Sequence, residues 1–109
     1  MKVKVIKKHQ GEGDFPTFEK GTKVTMKEEC THFLNWYACD IAGHQTYVPK
    51  IFVCDDKLTR DYNPTELIQE AGDIVEVQEI VYAWIIATNG KGKTGWLPAE
   101  VVVSTNNAI

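Results

Sequence analysis

The chain repeats itself, and the repeat constrains its folding more than any other feature. The first copy runs through Gly21-Thr22-Lys23-Val24, then Trp36-Tyr37-Ala38-Cys39, then Tyr47-Val48-Pro49 and Ile51-Phe52-Val53. The second runs through Gly72-Asp73-Ile74-Val75, then Trp84-Ile85-Ile86-Ala87, then Trp96-Leu97-Pro98 and Glu100-Val101-Val102. Gly72 follows Gly21 by 51 residues, Trp84 follows Trp36 by 48 and Pro98 follows Pro49 by 49. A period near 50 points to two copies of one small unit. With 109 residues in all, each copy has room for one small domain and nothing more. The expected domains are 1–53 and 54–109.

The copies read as all-β. Ile74 to Val81 opens on an apolar pair and then mixes polar with apolar positions, and Trp84 to Thr88 is aromatic and β-branched. Asn89-Gly90 follows directly and suits the positive φ angles of a tight turn. Lys91 to Gly95 widens that turn, and Trp96-Leu97-Pro98 begins the returning strand. In the first copy Ala42-Gly43-His44-Gln45 plays the same part. Pro49 and Pro98 cannot donate a ladder hydrogen bond, so each should end its strand or sit at an edge. Thr65 to Glu70 has helical propensity but is too short for a secure helix. Cys39 falls at the repeat position of Ala87, where a small side chain is wanted inside. Leu97 and Val48 are expected in the core. Alternation then turns Trp96 and Tyr47 outward.

Composition narrows the function. Twelve Lys and Arg against 15 Asp and Glu give a net charge of −3, which argues against a nucleic-acid binder working through a basic face. The longest apolar run, Ile80 to Ala87, is too short to cross a bilayer, so no membrane partner is expected. The basic start, Met1 to Lys8, lacks the apolar stretch of a signal peptide, so a cytoplasmic location is expected. Cys30, Cys39 and Cys54 are odd in number and widely spaced, which suits neither a disulfide framework nor a zinc site. His9, His32 and His44 form no metal-binding or catalytic pattern. No nucleophile stands at a recognisable spacing from a base, and Gly90-Lys91-Gly92-Lys93 resembles a phosphate loop in composition only. A non-enzymatic protein with no metal and no cofactor is expected.

The ordered set Arg60-Asp61-Tyr62, Glu66-Leu67, Gly72-Asp73-Ile74-Val75, Trp84 and Gly95-Trp96-Leu97-Pro98-Ala99-Glu100-Val101-Val102 resembles the Src homology 3 (SH3-like) family. The likeness covers 58–103 well and 3–53 more weakly. The whole chain is similar to small bacterial proteins made of two such domains. The resemblance implies two tandem five-stranded small β-barrels, each with a short 3₁₀ turn before its last strand and otherwise little helix. It also implies a groove lined by aromatics that receives an extended, proline-rich ligand. Such a segment already holds its bound conformation, so ordering it costs little entropy.

Carried across by position, the groove of the second copy holds Tyr62, Trp84 and Pro98, with Glu66 as the acid for a ligand cation. Arg60, Glu100 and Val101 depart from the family pattern. The first copy holds Trp36, Pro49 and Phe52, with His9 at the position matching Tyr62. With neither set complete, an affinity on the order of 10 μM or weaker is expected. Trp36 and Trp84 also suit a junction between units. The short connection Cys54-Asp55-Asp56-Lys57 predicts two barrels packed on each other in a monomer. The partner expected is a protein or peptide segment. Docking to one fixed protein through Trp96 and Tyr47 is an alternative, as is binding of a cell-wall peptide.

Overall fold

Alternation decides where each strand buries its side chains. In Lys2–Val5 (β1) the lysines are exposed while Val3 and Val5 are buried. The other strands are Val24–Glu29 (β2), Trp36–Ile41 (β3), His44–Pro49 (β4), Val53–Cys54 (β5), Lys57–Leu58 (β6), Ile74–Val81 (β7), Trp84–Thr88 (β8), Thr94–Pro98 (β9) and Val102–Ser104 (β10). The computed structural model describes residues 1–105, so residues 106–109 of the expected second domain lie outside it. Among the described residues the helical turns are two 3₁₀ turns, Lys50–Phe52 before β5 and Ala99–Val101 before β10. The fold is all-β, and the pairings between these strands are antiparallel among the described residues. No helix among the described residues is long and apolar enough to cross a membrane.

The chain divides into two compact units: Met1–Asp14 with Thr65–Ile109, and Phe15–Pro64. The division does not fall between residues 53 and 54. The expected linker Cys54-Asp55-Asp56-Lys57 is instead a hairpin turn. Val53 pairs with Leu58 and Cys54 with Lys57, while Asp55 and Asp56 take φ of 50° and 60°. Two consecutive left-handed residues make the tight reversal that matches strand twist, and aspartate tolerates that region better than most side chains.

The first unit is one five-stranded sheet in the order β10-β1-β7-β8-β9, with β10 and β9 as its open edges. Its core is Val3, Val5, Leu67, Val75, Ile85, Ala87, Leu97 and Val101. The β7–β8 hairpin closes through Tyr82 and Ala83 at φ of 43° and 70°. Asn89-Gly90 does not supply the positive φ of the next turn; Gly92 does, at 81°. Asn89 works through its side chain, whose Oδ1 accepts the amides of Lys91 and Lys93 at 2.9 and 3.0 Å. Thr65 to Glu70 is extended, and its helical propensity yields to bridges from Glu66 to Trp96 and from Gln69 to His9.

The second unit repeats the order. Its rows are β5-β6 and β2-β3-β4, and a bridge between Lys23 and Lys57 joins β6 to the start of β2. Its buried side chains include Val24, Cys39, Ile41, Val48 and Leu58. The hydrogen bonding also repeats. The Leu58 amide donates to the Thr22 carbonyl and the Leu58 carbonyl accepts from the Gly21 amide, as the Val5 amide donates to Asp73 and the Val5 carbonyl accepts from Gly72. Cys39 and Ala87 are both buried, as are Val48 and Leu97, matching their expected core positions. Pro49 and Pro98 end β4 and β9, the edge strands of their rows.

Candidate ligand-binding site

Trp84 begins β8, immediately after the Tyr82–Ala83 turn. The tight reversal sets it opposite Val81 on one side, and Pro98 faces it on the other. Pro98 is buried while Trp84 is half-buried. The amide of Ala99 donates to the Ala83 carbonyl at 2.8 Å, which fastens the 3₁₀ turn beyond Pro98 to the hairpin carrying Trp84. The indole and the pyrrolidine are therefore held on rigid backbone.

A third ring completes the cluster. His9 exchanges backbone hydrogen bonds with Gln69 at 2.9 and 3.0 Å. Its imidazole meets the Trp84 ring edge-on, with centroids 6.0 Å apart and planes at 79°. Edge-to-face geometry places the positive rim of one ring on the negative face of the other. His9 Nε2 donates to Glu66 Oε1 at 2.7 Å, and the two side chains are only 16% and 17% exposed. Glu66 is held by its neighbours, since the amide of Leu67 donates to Trp96 and that of Trp96 donates to Thr65. Gly11 lies against it so closely that a Cβ there would stand 2.7 Å from the Glu66 Cβ.

The expected site residues fall into two groups. Trp84, Pro98 and Glu66 share the first unit, whereas Tyr62, Trp36, Pro49 and Phe52 belong to the second. Tyr62 therefore does not stand beside Trp84 in one unit, and His9 takes that place. The alignment of His9 with Tyr62 in the repeat was the sequence signal for this residue.

In the second unit Trp36 faces Pro49, as Trp84 faces Pro98. The rings there are closed in, with Trp36 at 5%, Phe52 at 3% and Tyr62 at 3% exposure. Phe52 and Tyr62 pack edge-to-face at 5.5 Å, and the Arg60 guanidinium lies 4.3 Å above Phe52. The Tyr62 hydroxyl donates to the Tyr47 carbonyl.

Tyr47 is exposed, as alternation requires, but Trp96 is buried rather than outward. Gly95 to Pro98 are all buried, because both faces of β9 are covered there. The thiols differ in access. Cys54 is exposed and Cys30 half-buried, whereas Cys39 is buried. Burial, with Asp40 adding to it, pushes the Cys39 thiol up to about 12. Burial and then the Glu29 charge raise Cys30 as well. Among the described residues no group of three or more His, Cys, Asp or Glu is placed to hold a metal ion.

No protein-family model matches the chain, and no curated protein or solved structure matches it.

Proposed function

We propose that the chain is a non-enzymatic binding protein built of two SH3-like units, and that the unit carrying Trp84 receives an extended, proline-rich protein segment. Three features support the family reading: one strand order in both units, a 3₁₀ turn before β5 and β10, and a Trp facing a Pro in each. The binding reading rests on one observation. Trp84 is half-buried opposite Pro98, with the His9 ring against it and the Glu66 carboxylate bonded to that His9. A polyproline II segment presents a ridged apolar face that packs on flat rings at small entropic cost.

The equivalent rings of the second unit are packed away, so the ligand is assigned to the first. Docking of a fixed partner through outward aromatics loses one anchor with the burial of Trp96. Titration with proline-rich peptides, followed on indole N–H resonances, tests the reading. Trp84 should shift with a Kd of about 10 μM or weaker while Trp36 stays in place. If no Trp84 shift occurs at millimolar peptide, the site is not a proline-rich-peptide groove.

A further inference from the structure

We propose that His9 is a built-in competitor for the ligand of this groove: it occupies the carboxylate of Glu66, and an arginine on the bound segment displaces it. The inference rests on the binding reading above, takes from it the pairing of Glu66 with a ligand cation, and adds a self-masking contact. Between Tyr62 and Leu67 the chain offers a single acid, Glu66. Its Oε1 already accepts from His9 Nε2 at 2.7 Å. Hydrogen bonds to a carboxylate are among the stronger ones in proteins, so this contact holds the acid against entry of a weak cation.

The geometry makes the competition local. His9 cannot leave with its strand, because its backbone is bonded in both directions to Gln69. It can only turn about its side-chain torsions. Gly11, two residues on, presses against the Glu66 Cβ, so the segment 9–11 wraps the acid. The imidazole also meets Trp84, the ring on which the ligand would lie. A cation reaching Glu66 along Trp84 thus meets the His9 N–H at the same oxygen. Charge complementarity selects the occupant: an extended segment with a basic residue beside its prolines. Arginine suits the position better than lysine, because its planar fork engages a carboxylate through two parallel bonds. Once released, His9 still lines the groove as an aromatic wall.

The test uses the full chain, a proline-rich peptide bearing a single Arg, and its twin with citrulline in place of that Arg. His9→Phe keeps a ring against Trp84 and deletes the competing N–H. It should tighten the Arg peptide about three- to tenfold relative to its effect on the citrulline peptide, the range expected for one hydrogen bond. In a Glu66→Gln background the same substitution should give no gain. A second readout needs no variant: the His9 ring carbon-bound protons of the wild type should shift with the Arg peptide and not with its twin. An equal change for both peptides in His9→Phe, or equal His9 shifts with both peptides, overturns the competition while Trp84 still reports binding. Loss of the Trp84 response itself removes the binding reading, and this inference falls with it.

Discussion

Tyr62 and Phe18 bridge each other, the amide of each donating to the carbonyl of the other at 2.8 Å. His9 and Gln69 do the same in the other unit. In the repeat, Tyr62 corresponds to His9 and Gln69 to Phe18. The opening strand of each copy is therefore paired with the body of the other copy. Phe15–Pro64 holds β6 at its end, and Met1–Asp14 supplies β1 to the body that follows Thr65.

The exchange sets which fragments fold. The segment 15–64 carries all of its own pairing partners and should show a cooperative thermal transition by circular dichroism. The fragments 1–53 and 54–109 each lack the strand that fills their sheet. Each alone should show no transition, and mixing them should restore one. A native-like spectrum for isolated 1–53 would contradict the exchange.

Leu58 is 2% exposed and holds β6 against Thr22 and Gly21. Leu58→Ala should cost about 2–5 kcal/mol in urea denaturation, from lost burial and the cavity left behind. Ile80, 64% exposed, is the control; Ile80→Ala should stay within about 0.5 kcal/mol.

The two tryptophans that face prolines should separate stability from binding. Trp36→Ala removes a ring that is 5% exposed and should destabilise by about 3–5 kcal/mol. Trp84→Ala removes a half-buried ring, so it should cost less stability and abolish the peptide response. Denaturation and titration of both variants measure the split.

Gly11→Ala places a Cβ 2.7 Å from that of Glu66. Such crowding costs about 1–3 kcal/mol where a well-packed group must move. The Glu66 side chain should shift and its bond to His9 break, which His9 ring resonances will report. In Gly95→Ala the added Cβ would stand 2.9 Å from the Thr65 carbonyl, and backbone yields less easily. That variant should be the less stable of the two.

Alkylation at neutral pH should follow access. Iodoacetamide should label exposed Cys54 first. Cys39, buried and with its thiol raised to about 12, holds almost no thiolate and should react only on unfolding. Peptide mapping by mass spectrometry reads the order.

Much of the fold was legible in the residues. β-branched and aromatic runs marked β7 and β8, the prolines marked the ends of β4 and β9, and the matched positions of Cys39 and Ala87 marked the core. The exchange was not legible, because Val5 and Leu58 offer the same local pattern to either body. Asp55 and Asp56 turn left-handed, so β6 folds straight back on β5 and leaves the later sheet to be filled by β1. Acidic residues between two repeats read as a linker, and only the backbone shows a turn. The site was half legible for the same reason. Trp84, Pro98 and Glu66 fall in one unit, whereas Tyr62, expected with them, falls in the other, and the ring against Trp84 is His9. Trp96 escaped the alternation rule because both faces of its strand are covered.

The pairing of Val3 with Ser104 has a consequence for synthesis. β1 leaves the ribosome ahead of its neighbours β7 and β10, which emerge only after the whole of Phe15–Pro64. That middle segment can close while translation continues. β1 must wait, with Val3 and Val5 uncovered, until its partners beyond Thr65 have been made.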